Sequence, residues 1–105
     1  MGLISKKVIQ PINYTSTIAA KIQQRRLQLL VHSYLYYNQN TNLISDATWD
    51  RWAKELVKLQ KDNPDIASKV IYAEAFKDFD GSSGFDLPYT DDLIVKNAMW
   101  LLEIQ

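Results

Sequence analysis

Apolar residues fall on the helical period twice along this chain, and the two periodic stretches are joined by a short polar run. In the first, Ile18, Ile22, Leu29, Leu30, Tyr34 and Tyr37 recur at threes and fours between about residues 17 and 38, with no Gly or Pro to interrupt them. Thr15, Ser16 and Thr17 supply capping side chains just ahead of it. Lys21, Gln24, Arg25 and Gln28 take the other side, which predicts a solvated face. The second stretch runs from Asp46 to about Asp62 and carries Trp49, Trp52, Ala53, Leu56, Leu59 and Gln60 along one stripe. Ser45 is its expected N-cap, Ile44 stands at the hydrophobic-staple position, and Asn63-Pro64 stops it. Between the two, Asn38-Gln39-Asn40-Thr41-Asn42 is a cluster of turn formers. Two amphipathic helices with so short a connection pack as an antiparallel hairpin.

Outside the hairpin the pattern is weaker. Residues 2 to 16 hold Leu3-Ile4, Val8-Ile9 and Ile12, broken by Lys6-Lys7 and Pro11, which predicts an extended arm or an edge strand. Residues 66 to 76, with Val70, Ile71, Tyr72 and Phe76, predict a short third helix. The stretch 76 to 88 is a glycine-containing loop studded with aromatic rings, whose burial requires it to pack back onto the hairpin. Thr90 is the expected cap of a last helix from Asp91 to about Glu103, acidic in its first turn, with Ile94, Ala98, Leu101 and Leu102 toward the core. The fold class is therefore all-α: an antiparallel helical hairpin plus a C-terminal helix, with an extended N-terminal arm and an aromatic-rich loop. One domain is expected over residues 1–105, made of the 17–64 hairpin and a 65–105 remainder.

Composition narrows the chemistry. A chain of 105 residues can bury roughly 65% of its unfolded surface, enough for one core. The formal charge is zero, so no global field steers the protein onto nucleic acid. Lys21, Arg25 and Arg26 could form a phosphate patch, but a solvated helix face explains the same spacing, and nucleic acid is not expected as a partner. Without cysteine there is no disulfide, thiolate nucleophile or Cys-type zinc site, and a single histidine leaves triads and His-based metal sites without members. No apolar run approaches the ~18 residues of a membrane span. The N-terminus lacks a signal-peptide core, and Lys6 breaks the myristoylation pattern. By elimination the expected compartment is cytoplasmic.

Chemistry concentrates at the facing ends of the hairpin. Asp46, Trp49 and Asp50, at i, i+3 and i+4, share one face of the second helix's first turn, and the connection brings Tyr36 and Tyr37 close to it. Aromatic faces beside two carboxylates and free backbone N–H groups suit a flat, cationic, polyhydroxylated ligand. Ordinary roles account for the same residues singly. Asp46 favours the helix dipole, Asp50 can pair with Lys54, and Trp49 and Tyr37 can be core aromatics. The loop residues Asp78, Asp80 and Gly81 resemble a calcium loop, but Ser83 and Tyr89 occupy positions where glycine and glutamate are needed, so no metal is expected.

The run His32-Ser-Tyr-Leu-Tyr-Tyr37, then eight residues, then Asp46-Ala-Thr-Trp-Asp50, with Glu55-Leu56 and Asn63-Pro64 following, resembles the small helical N-terminal domain of bacterial NAD-dependent DNA ligases. That family's pattern reads roughly Tyr-Tyr/His, Asp-x-x-Tyr-Asp, Glu-Leu and His-Pro at the same spacings, and the resemblance covers about residues 22 to 66. It implies a domain that grips the nicotinamide mononucleotide half of NAD during enzyme adenylylation, aromatics stacking on nicotinamide and carboxylates holding the amide and ribose. By position, Tyr36, Tyr37, Asp46, Trp49 and Asp50 become the candidate binding residues. Tyr37 stands where the family often has histidine, which weakens the phosphate contact, and Trp49 replaces tyrosine. Lys77-Asp-Phe-Asp80-Gly81 is one residue longer than the ligase nucleophile motif Lys-x-Asp-Gly, and too little chain follows it for an adenylylating site. The expectation is a non-catalytic module binding NAD or nicotinamide mononucleotide. The alternative is a protein-interaction module, for a host or phage partner, that keeps the fold without the ligand. Residues 76 to 105 are similar to small stand-alone phage proteins carrying this hairpin, which implies a phage or prophage origin.

Overall fold

The structure is a computed structural model and describes residues 17–105; the expected N-terminal arm lies outside the described residues. Thr17 opens α1 (Ile18–Gln39), its hydroxyl accepting the Ala20 N–H at 3.1 Å. The helix ends where Asn40 turns left-handed at φ 50°, a conformation asparagine tolerates, and the Asn40 and Thr41 N–H groups both return to the Leu35 carbonyl. Helix α2 (Asp46–Asp62) starts at Ser45, whose hydroxyl accepts the Thr48 N–H at 3.1 Å. It stops at Asn63, whose backbone and side-chain N–H groups both donate to the Leu59 carbonyl. Pro64 then opens the single turn α3 (Pro64–Ala67), where its missing N–H costs nothing. Another single turn, α4 (Ala73–Phe76), and the C-terminal helix α5 (Asp92–Glu103) complete the described elements, all helical.

Helix α1 is the centre of the packing, with α2 and α5 both laid against it. Ile22, Leu29, Leu30 and Leu35 of α1 are fully buried, and they meet Ala53 and Leu56 of α2, Phe76, and Ile94 and Ala98 of α5. Leu101 and Leu102 of α5 are partly buried against this core. The expected hairpin and C-terminal helix are therefore present.

Three expectations need correcting. No continuous helix spans 66 to 76: Ser68 to Tyr72 is turn, and Tyr72 is left-handed at φ 67°. The reason is Arg26, expected on a solvated face or a phosphate patch but only 1% exposed. Its guanidinium donates to the carbonyls of Ala67 (3.0 Å), Val70 (3.0 Å) and Ile71 (3.1 Å), and its Nε to Gln60 Oε1 (2.9 Å). Carbonyls that a third helix would commit to its own N–H groups are turned instead onto this cation. Gln60 then passes its amide hydrogen to the Phe76 carbonyl at 3.1 Å, and the Phe76 ring lies 5.7 Å from the guanidinium. Burial pulls the Arg26 pKa below its ordinary value. Neighbouring Arg25 is occupied as well, pairing with Glu55 at 3.1 Å over the Trp52 ring.

The third correction is at the last helix. It begins at Asp92, with Asp91 rather than Thr90 at the cap position, and Asp91 makes no side-chain capping bond. Its carboxylate accepts the Tyr72 hydroxyl instead, and burial together with that contact pushes the Tyr72 phenol up to about 12.

Candidate functional site

An open cleft of about 500 Å³ lies where the two hairpin helices face each other at the connection. One wall is the end of α1, where His32 and Tyr36 stand one turn apart with Tyr37 beside them. The connection 41–44 forms the back, and the first turn of α2 contributes Asp46, Trp49 and Asp50. All the residues named from the sequence, Tyr36, Tyr37, Asp46, Trp49 and Asp50, therefore line one cavity. Their surroundings differ.

Tyr36 is 52% exposed and meets the edge of Tyr37 at 5.0 Å between centroids. Tyr37 is held more firmly: Tyr89 stacks on it at 5.4 Å and 21°, Phe85 meets it edge-on at 5.3 Å, and its hydroxyl lies 3.5 Å from Ser83 Oγ. It serves as a pillar for the loop as well as a wall of the cleft. Trp49 is half-buried, edge-on to Phe79, which in turn packs on Phe76. Asp46 is exposed in the first turn, without a side-chain partner among the described residues. Asp50 pairs with Lys54 at 2.7 Å, a solvent-exposed i,i+4 contact worth about 0.3–0.5 kcal/mol.

The third wall was not foreseen. Ser82, Ser83 and Gly84 of the aromatic loop close the cleft opposite the hairpin. The loop does pack back as expected, although Phe85 stays 62% exposed. What seats it is the absence of a side chain at Gly84, where a Cβ would fall 2.2 Å from Ser33 Oγ and 3.0 Å from the Trp49 ring. Gly81, at φ +86°, makes the turn that leads there. Asp80 secures the tip by accepting both the N–H (3.0 Å) and the hydroxyl (2.7 Å) of Ser82, which hold its carboxyl below the usual carboxylate range. The sequence signal was two glycines separated by two serines between aromatic rings, and it showed a turn without showing what the turn would touch.

His32 also lines the cleft, and the sequence reading quoted it without giving it a role. Its ring lies 5.9 Å from Trp52, and its Nδ1 is buried without a partner. Burial lowers its pKa from 6.5. A histidine that resists protonation when folded leaves the unfolded chain holding more protons, so stability is full above about pH 6.5 and falls as the pH drops. As the only histidine, it can be tested alone. The urea midpoint should decrease between about pH 7 and about pH 5.5, and His32→Asn should flatten that slope. A wild-type midpoint constant over the interval would contradict this account.

Among the described residues no cluster of three or more His, Cys, Asp or Glu could hold a metal, and no helix is long and apolar enough to cross a membrane. Comparison with known proteins gives a consistent result. The family model of the DNA ligase-like N-terminal NAD+-binding domain matches residues 15–69. A DNA ligase of Marinobacter nauticus is 37% identical over 57 residues, covering 54% of this chain and 8% of the ligase. DNA ligases of Endomicrobium trichonymphae and Bacteroides fragilis are each 43% identical, over 47 and 49 residues, covering 45% and 47% of this chain and 7% of either ligase. The matched stretch is thus a small fraction of these relatives, confined in this chain to the hairpin and the turn after it. No solved structure gives a significant match.

Proposed function

The chain belongs to the DNA ligase-like N-terminal NAD+-binding domain family, and from that premise we propose that its hairpin cleft holds the nicotinamide end of NAD or of nicotinamide mononucleotide without performing chemistry on it. The observation that carries this reading is the convergence of Tyr36, Tyr37, Asp46, Trp49 and Asp50 on one open cleft. An N-ribosylated nicotinamide is a flat cation. The exposed Tyr36 ring offers it a stacking face and Trp49 a second aromatic contact, and both are favourable to a positive charge. The Asp46 and Asp50 carboxylates can accept from the carboxamide NH₂ and the ribose hydroxyls. No lysine or cysteine lines the cleft among the described residues, which supports binding without adenylylation by these residues. The exposure of Tyr36 also favours a ligand site over a surface closed by the chain itself.

Isothermal titration with NAD and nicotinamide mononucleotide tests the reading. Asp50→Ala should weaken binding about ten- to a hundredfold, the ~1.5–3 kcal/mol of a lost charge-assisted contact. Its unfolding free energy should change by no more than about 0.5 kcal/mol, because its pair with Lys54 is exposed. A variant that loses stability while binding unchanged would reverse the assignment. The protein-interaction reading rests on a different surface: Leu93 and Trp100 of α5 and Ile104 just after it are 43%, 59% and 54% exposed. Absence of heat with either nucleotide would move the weight to that face.

A further inference from the structure

The wall formed by Ser82, Ser83 and Gly84 lies outside residues 15–69, the stretch that the family model matches. Its position is well defined. Gly84 is buried against Ser33 and Trp49, and Ser82 donates both its N–H and its hydroxyl to Asp80. Ser83 is exposed on the cleft between them. Its Oγ accepts the Phe85 N–H at 3.1 Å, which fixes the oxygen and leaves the hydroxyl hydrogen to donate. The Tyr37 hydroxyl stands 3.5 Å from that oxygen, on a ring held by Tyr89 and Phe85. Hydroxyls so far apart satisfy each other poorly, and a third oxygen can sit between them and accept from both.

We propose that the Ser83 and Tyr37 hydroxyls together seat the phosphate of the bound nucleotide, so that the loop makes this cleft select nicotinamide mononucleotide over its nucleoside. This deepens the nicotinamide reading above, on which it rests. The first turn of α2 presents the carboxylates of Asp46 and Asp50, which accept, whereas the place where the loop meets the end of α1 presents hydroxyls that donate. The mononucleotide has the same polarity. Its pyridinium and ribose hydroxyls suit the carboxylates, and its phosphate carries about −1.5 to −2 charge on oxygens that accept. Hydrogen bonds to such a charged acceptor are stronger than those between neutral groups. Lys54 already pairs with Asp50, and Asp46 lies at the positive end of α2, so both carboxylates are partly offset and do not bar an anion.

Isothermal titration of the whole chain with nicotinamide riboside and with nicotinamide mononucleotide tests this on the wild type, Ser83→Ala and Tyr37→Phe. The wild type should bind the mononucleotide at least about tenfold more tightly than the riboside. Each variant should lose about tenfold in mononucleotide affinity and less than about twofold in riboside affinity. Tyr37→Phe keeps the ring that stacks on Tyr89, so its loss reads the hydroxyl alone. Parallel weakening of both ligands in both variants would mean that the hydroxyls only hold the loop in place, and would overturn the phosphate seat. A wild type that binds the riboside as tightly as the mononucleotide also overturns it and leaves the nicotinamide site standing. A protein that binds neither overturns both readings.

Discussion

Arg26→Ala should cost about 3–5 kcal/mol of folding free energy, the loss expected when one partner of a buried charged network is removed. The guanidinium is 1% exposed, and its Nη atoms satisfy the carbonyls of Ala67, Val70 and Ile71. Truncation strands those carbonyls and the Gln60 amide oxygen in the interior, at about 1–3 kcal/mol for each group that finds no water. It also opens a cavity beside Phe76. Domains of this size are stable by about 5–15 kcal/mol, so the variant should be close to unfolding at room temperature. Arg26→Lys should recover only part of the loss, because a point charge cannot serve carbonyls spread along a turn as a planar fork does. Urea denaturation of the three proteins is the measurement. A loss under about 1 kcal/mol for the alanine variant would show that the turn does not depend on this cation.

Gly84→Ala should destabilise by about 1–3 kcal/mol, the usual cost of overpacking, and should also weaken any ligand binding in the cleft. The sign is informative. Gly84 does not have a left-handed φ, so with open space the substitution would stabilise by about 0.4–1 kcal/mol through the unfolded chain. Here the new methyl would fall 2.2 Å from Ser33 Oγ, 3.2 Å from Ser33 Cβ and 3.0 Å from the Trp49 ring. Ser33 is buried and cannot swing away, so the loop must lift. Ser33→Ala removes the closest of these contacts. The double variant should therefore be less destabilised than the sum of the single ones, by about 0.5–3 kcal/mol. Strict additivity would mean that the loop does not seat on Ser33.

What the sequence determined by itself is local. Thr17 and Ser45 cap the two long helices because a hydroxyl accepting an N–H three residues on needs no tertiary context. The hairpin follows from two apolar stripes and a connection too short for any other packing. Asp46, Trp49 and Asp50 share a face because 3.6 residues make a turn, and the same connection holds Tyr36 and Tyr37 near them. Arg26 was half legible. It lies four residues after Ile22 and three before Leu29, squarely on the buried stripe, and only its charge argued for the surface.

The tertiary structure decided the rest, because the deciding contacts join residues far apart in the chain. A buried arginine requires acceptors, and those come from the turn at 67–71, which no periodicity around residue 26 can announce. That demand in turn broke the helix expected at 66–76. The third wall of the cleft depends on Gly84 meeting Ser33 and Trp49 across the fold, and the start of α5 on Tyr72 reaching Asp91. Propensity and pattern describe how a segment behaves alone. Where a segment's polar groups find partners elsewhere in the molecule, those partners set its shape.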